Sequence, residues 1–114
     1  MQLPLKNSNK TMQLLNKTCL RKVPGMGEQD GLGEAAIVHL KFFIGSFTWL
    51  LTEIDQETGE AFGKVFSHMC PEGELGYFHM TELSNLRGRF GEGVERDRNW
   101  KAQELKDCKN PCGG

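Results

Sequence analysis

Apolar and polar residues alternate most regularly in the middle of the chain, where short turns separate apolar runs. The run Ile37–Ile44 is rich in β-branched and aromatic residues, and the pattern resumes over Thr48–Ile54. Gly45 and Ser46 lie between the two runs, and such residues favour a tight turn. These two runs therefore predict a β-hairpin.

The two strands of this hairpin differ in how clearly one face is marked for burial. Alternate positions of the first strand predict a single core face, made up of Val38, Leu40, Phe42 and Ile44. In the second strand, Leu50 and Ile54 are predicted to share one face, and Trp49 and Glu53 the other. Because both of its faces carry apolar residues, we expect a helix to cover one of them.

Two more strands and a helix complete the predicted fold. Ala61–Phe66 and Gly76–Met80 are typical of short strands. Thr81 is typical of a helix N-cap, and Gly88 is suited to a left-handed helix end, so a helix is predicted between them. The fold class that follows is α+β: a small antiparallel β-meander of three to four strands with one or two packed helices.

The N-terminal third lacks this alternation. It contains at most a short amphipathic helix near Thr11–Lys17, followed by the glycine-rich segment Val23–Gly33, which predicts an irregular connector. No apolar strand precedes these glycines and no Gly-Lys-Ser/Thr follows them, which argues against a phosphate-binding loop. We divide the chain into a flexible N-terminal arm with at most a short helix (1–34), a compact α+β domain (35–101) and a frayed C-terminal tail (102–114).

Length and charge limit the functional classes. The chain has 114 residues, so one domain is expected. Its formal net charge of -1 provides no overall positive electrostatic field that would attract a polyanion. The longest apolar stretch without a charge, Phe42–Leu51, is about half the length of a membrane span, and the first residues lack the apolar core of a signal peptide. We expect a cytoplasmic protein with no membrane partner.

Cysteine and histidine could together bind a metal. His68 and Cys70, with Cys108 and Cys112, would supply four ligands to zinc. Paired C-x-x-C motifs are absent, however, and the last two cysteines lie in a tail rich in Pro and Gly. We therefore favour free thiols and predict neither a metal site nor a cofactor.

Four carboxylates lie at or near the ends of predicted strands: Glu53, Asp55, Glu95 and Asp97. If two of them converged, they could hold Mg²⁺ for phosphodiester hydrolysis. Each has a simpler explanation in a turn, a solvated strand face or an ion pair, and the sequence shows no paired base and nucleophile. We predict no catalytic residue and keep a metal-dependent phosphodiesterase as an alternative.

The candidate binding residues combine aromatic side chains with polar ones on predicted strands. They are Trp49, Glu53, Tyr77, His79 and His39. Such a group would form a recognition surface of aromatic anchors with a polar rim, although a half-buried sheet face explains the same pattern.

Weak binding of nucleic acid is a further alternative. Basic residues recur in the first segment of the chain, namely Lys6, Lys10, Lys17, Arg21 and Lys22. Aromatic residues that could stack on bases follow, namely Phe42, Phe43, Phe47 and Trp49. We expect these aromatic residues to be used in the core, and acidic residues recur throughout the domain.

Five blocks carry a family resemblance: TWLLTEID, AFGKVF, ELGYFHMTEL, LRG and GVERD, in this order. They resemble a bacterial and phage family of small proteins known as domain of unknown function 2958, over roughly Val38–Trp100. The resemblance implies a single-domain cytosolic protein, often carried by mobile or phage-derived DNA, with no established activity, cofactor or catalytic residue. We therefore interpret the chain as a non-enzymatic accessory or interaction protein that acts through a protein partner. Its oligomeric state is left open.

Overall fold

A five-stranded antiparallel sheet forms the centre of the molecule. The computed structural model describes residues 14–108. In chain order its strands are β1 (Ile37–Val38), β2 (Leu40–Ile44), β3 (Phe47–Ile54), β4 (Glu60–Ser67), β5 (Cys70–His79), β6 (Glu95–Arg96) and β7 (Gln103–Glu104). The central sheet has the order β5-β4-β3-β2-β6, and β1 pairs with β7 separately. Because β2 to β5 follow one another as antiparallel neighbours, the predicted meander and α+β class are confirmed.

Two short α-helices lie within the described residues, α1 (Lys17–Leu20) and α2 (Met80–Asn85). The predicted ends of α2 are wrong. His79 is its N-cap, since the Thr81 N–H donates to His79 Nδ1 at 3.1 Å, and the helix ends before an extended Leu86. Gly88 does not adopt a positive φ. The first three residues of the helix predicted near Thr11–Lys17 lie outside the described residues; of the other four, Leu14 is helical, Leu15 and Asn16 are not, and Lys17 begins α1.

The hairpin of β2 and β3 forms as predicted, and three of the four predicted core residues of its first strand share one core. Leu40, Phe42 and Ile44 are all buried in the larger hydrophobic cluster. Val38 is also buried, but it belongs to the second cluster. The strand is interrupted at His39, so the simple alternation from Val38 to Leu40 does not hold.

A β-bulge at Thr52 changes the faces of the second strand. Leu51 pairs with Gly63, whereas Glu53 pairs with Phe62, so Thr52 is an extra residue. The extra residue reverses the alternation. The prediction that Glu53 shares a face with Trp49 was therefore wrong, and Ile54 lies on the Leu51 side instead.

Segments outside the predicted 35–101 domain contribute to the two cores: the segment before it to the larger core, and the segment after it to the second. The larger cluster includes four residues from the N-terminal side: Leu14, Leu15, Leu20 and Val23. On the other face, Leu105 is buried with Ala36, Leu50 and Phe66, and Trp100 packs against them. Residues from the described part of the predicted arm thus belong to the hydrophobic core.

Candidate functional site

Glu53, a predicted binding residue, is buried under the glycine-rich loop. Its side chain is 4 % exposed, and its two carboxylate oxygens accept the backbone N–H groups of Gly27 at 2.9 Å and Gln29 at 2.7 Å. Such charge-assisted bonds satisfy a buried carboxylate. The side chain of Glu53 is therefore engaged in fixing the loop to β3.

The side-chain amide of Gln29 fixes the same loop to the sheet. Its Nε2 donates to Ile37 O at 3.0 Å and to Thr52 O at 2.8 Å, while its Oε1 accepts the Ile37 N–H at 2.7 Å. The loop backbone turns at Gly27 and Gly31, where φ is 87° and 83°, a region that favours glycine. The sequence did not reveal these loop-to-sheet hydrogen bonds, because the donors to the Glu53 carboxylate lie 24 and 26 residues away along the chain.

The aromatic candidates lie on opposite faces of the sheet. Trp49 is 5 % exposed in the larger core and stacks on Phe47 with a centroid distance of 5.8 Å. Tyr77 is 69 % exposed, and its ring meets Phe62 edge-on at 5.0 Å. Glu53 pairs with Phe62, and Phe62 with Tyr77, so these three share a face. The structure thus brings Glu53 and Tyr77 to one face and leaves Trp49 on the other.

The two histidine candidates have separate environments. His79 caps α2 through its Nδ1 and is half-buried. His39 is also half-buried, and desolvation lowers its pKa below the ordinary value of 6.5. His39 lies at a cleft that also contains Arg96 and Trp100.

Strand β5 is the outermost strand on its side of the described sheet and spans ten residues. Its exposed side chains are Pro71, Glu72, Glu74, Leu75 and Tyr77. The register with β4 places Leu75 and Tyr77 on the same face, opposite Lys64 and Phe62. An edge strand offers free backbone N–H and C=O groups to a further strand.

Two clefts flank the opposite edge strand, β6. The larger, of about 890 Å³, is lined by Lys41, Phe43, Gly45, Ser46, Thr48, Ser67, His68, Pro71, Glu95, Arg96, Asp97, Arg98 and Asn99. The smaller, of about 370 Å³, is lined by Thr18, Cys19, Arg21, Lys22, His39, Leu40, Arg96, Asp97, Arg98, Trp100 and Ala102. Arg96, Asp97 and Arg98 line both, so β6 and the turn after it separate the two clefts.

The four carboxylates considered for a Mg²⁺ site have different surroundings. Glu95 and Asp97 line the larger cleft, whereas Glu53 holds the glycine loop and Asp55 accepts the Glu57 N–H at 2.9 Å in a turn. Within residues 14–108, no group of three or more His, Cys, Asp or Glu side chains could hold a metal ion. Of the residues considered for zinc, Cys112 lies outside this range.

Cys19, Cys70 and Cys108 are free thiols. Burial, and then the negative charge of Asp107, raise the pKa of the Cys108 thiol. Its Sγ donates to Glu104 O at 3.4 Å. These contacts favour the protonated form and place Cys108 against the second core.

The class of protein that these elements define is a small antiparallel α+β domain, and fold alone does not define function. The chain belongs to the family described as protein of unknown function (DUF2958), which matches residues 7–106. The resemblance predicted from five sequence blocks is thereby confirmed, and the match extends beyond them at both ends. No curated protein and no solved structure matches the chain. Among the described helices, none has the length and apolar character needed to cross a membrane.

Proposed function

We propose that this protein is a non-enzymatic interaction module whose edge strand β5 binds an extended segment of a partner protein. The observation that carries the proposal is the pair Leu75 and Tyr77, which are 49 % and 69 % exposed on one face of this outermost strand. Strand addition uses the free backbone groups for affinity and alternate side chains for specificity. Tyr77, a predicted binding residue, is the aromatic anchor in this arrangement.

The charge of β5 indicates which partner segment it favours. Its sequence contains Glu72 and Glu74, both exposed, and no lysine or arginine. Lysine is one of the side chains that commonly protect an edge strand from pairing. Pro71 cannot donate a backbone hydrogen bond, so pairing is best over 74–79. A basic extended segment complements this edge in both charge and backbone pattern.

The cellular setting is part of the same proposal. We place the protein in the bacterial cytoplasm, in an accessory role connected with a mobile or phage-derived element. This setting is supported by the family resemblance, and the role by the exposed edge strand. It makes the partner a protein encoded by, or targeted by, such an element.

Affinity capture from a bacterial lysate, with and without nuclease, tests the proposal. Leu75→Lys and Tyr77→Lys add edge-protecting charges to β5, and Phe90→Lys changes an 88 % exposed aromatic residue outside the strand as a matched control. The expected result is a protein captured by the wild type and Phe90→Lys and lost with both β5 variants. Hydrogen exchange on the purified complex should then show new protection of β5 amides.

Two outcomes would reject this function. Capture that is unchanged in both β5 variants would place the interface elsewhere. Capture that disappears after nuclease treatment would favour the nucleic-acid alternative over a protein partner.

A further inference from the structure

We propose a second binding site, for a phosphate group of a nucleotide or of a single-stranded nucleic acid, in the smaller cleft beside β6. We call it the cationic cleft. Four basic side chains line it, namely Arg21, Lys22, Arg96 and Arg98, against the single carboxylate of Asp97. The central sheet separates this cleft from the β5 edge, because β5 and β6 are the two outer strands of this sheet within residues 14–108. The inference therefore goes beyond the proposed function.

Asp97 is already engaged by other groups. Its Oδ1 accepts the Asn99 N–H at 3.0 Å, and its Oδ2 lies 3.9 Å from Lys41 Nζ. Its backbone N–H donates to Lys41 O at 2.9 Å, which fixes the turn beside β2. The ion pair of Asp97 is thus with Lys41, and the four basic side chains outnumber this carboxylate in the cleft.

The four cations have no acidic partner among the described residues. The ion pairs of residues 14–108 involve Lys41, Lys64 and Lys106, and no described carboxylate pairs with a basic side chain of the cationic cleft. Arg96 Nε is buried and has no hydrogen-bond partner in the described part of the chain. A buried donor without an acceptor is costly, and a small rotation of Arg96 towards the cleft would give this N–H a ligand oxygen.

The donor set favours phosphate over other anions. Arginine presents parallel N–H groups that match phosphate oxygens in pairs, and Arg96 and Arg98 line the same cleft. A carboxylate has two oxygens and one negative charge to share among four cations, whereas a phosphate monoester has three terminal oxygens and up to two charges, and a nucleic-acid strand presents several phosphates. The positive charge and the donors therefore suit a phosphate.

An aromatic ring beside the cations points to a nucleotide rather than to a bare ion. Trp100 lines the cleft and is half-buried, and its Nε1 donates to Val38 O at 3.0 Å, which fixes the ring. Lys41 Nζ lies 5.7 Å from the ring centroid. Basic groups for the backbone and a fixed aromatic ring for a base are the combination that single-stranded nucleic acid sites use.

Fluorescence anisotropy on the full chain tests this site with a labelled oligothymidylate as the probe. Arg96→Gln and Arg98→Gln each remove one charge from the cleft, and Arg89→Gln removes an exposed arginine that does not line it. We expect the wild type and Arg89→Gln to bind, and each cleft variant to bind about tenfold more weakly. Binding should also weaken as salt is added, because phosphate contacts release counterions.

Further measurements separate binding from folding and identify the source of the phosphate. Arg96→Lys keeps the charge and should retain more affinity than Arg96→Gln, while circular dichroism checks that both variants are folded. Displacement of the probe by inorganic phosphate or AMP assigns a small phosphate ligand, and resistance to both assigns a nucleic-acid strand. Absence of binding for oligothymidylate, AMP and phosphate alike, or equal binding by Arg96→Gln and Arg89→Gln, would overturn the proposal.

Discussion

Gln29 and Glu53 are joined by a hydrogen bond from the Gln29 backbone N–H to Glu53 Oε2 at 2.7 Å. Together with the bond from Gly27, it fastens the glycine-rich loop to β3 just after the bulge. The carboxylate is buried, so these backbone donors replace the water that it would otherwise bind. The position of the loop and the conformation of β3 at the bulge are therefore coupled through the Glu53 carboxylate.

Replacement of Glu53 should destabilise the protein. Glu53→Gln keeps the size of the side chain, but its amide NH₂ group would face one of the two backbone donors. We expect the free energy of unfolding to fall by about 1.5–3 kcal/mol, the usual range for a hydrogen bond to a charged group. Urea denaturation measures this change, with Glu57→Gln in the exposed turn as the control. Equal stability of the two variants would contradict the anchoring role.

Gly63 should tolerate no side chain. A Cβ there would overlap the Leu50 carbonyl oxygen on the neighbouring strand, and that backbone cannot move without distorting the sheet. We expect Gly63→Ala to lower the free energy of unfolding by about 1–3 kcal/mol, as overpacking does. Gly76 is its cross-strand partner, and a Cβ at Gly76 meets no atom within 4 Å.

Gly76→Ala is therefore the matched control for Gly63→Ala, and its stability should stay close to that of the wild type. Both variants can be compared by thermal and urea denaturation. If the two substitutions lower the free energy of unfolding equally, the close approach of β3 and β4 at Gly63 is not the cause of the destabilisation.

His39 should make stability depend on pH. Because burial lowers its pKa in the folded state, the unfolded chain binds the proton more readily. Stability is therefore fully present above the unfolded value near 6.5 and falls as the pH drops from there towards the folded pKa. The melting temperature of the wild type should decrease over this window.

The His39→Asn variant should lose this part of the pH dependence, whereas His68→Asn, at an exposed position, should keep it. Melting curves at about pH 7.5 and about pH 5 give the comparison. If His39→Asn shows the same pH dependence of the melting temperature as the wild type, titratable groups other than His39 cause that dependence.

Cys108 should react slowly with alkylating reagents. Its raised pKa reduces the fraction of thiolate, which is the reactive form. In a Cys112→Ser background near neutral pH, we expect iodoacetamide to modify Cys70 before Cys108, as read by peptide mass spectrometry. The difference should disappear in urea, and equal rates in the folded protein would contradict the effect of burial.

The strands could be predicted from sequence, whereas the exact faces could not. The hairpin of β2 and β3 follows from two β-rich runs around Gly45 and Ser46, which are local signals. The bulge at Thr52 adds one residue to a strand whose sequence shows no Gly or Pro to mark it. The predicted faces of Glu53 and Ile54, the two residues of β3 after the bulge, were therefore reversed.

The surroundings of the candidate binding residues could not be predicted from sequence, because several of these side chains have long-range partners. Tyr77 is exposed, whereas Glu53 and Trp49 are buried. The backbone donors that bind Glu53 precede it by 26 and 24 residues. The cationic cleft combines Arg21 and Lys22 with Arg96 and Arg98, and only the fold brings these two pairs together. Strands β6 and β7 each have two residues, too few for a periodic pattern.

The side chain of Gln29 acts as a substitute peptide group. With one amide it gives both a donor and an acceptor to Ile37 and a second donor bond to Thr52, as a residue of an adjacent strand would. Through this side chain the glycine-rich segment is hydrogen-bonded to the strands, although it is not itself a strand. Its detachment would expose backbone groups of β1 and β3 at once, so loop and sheet should open and close as one cooperative unit.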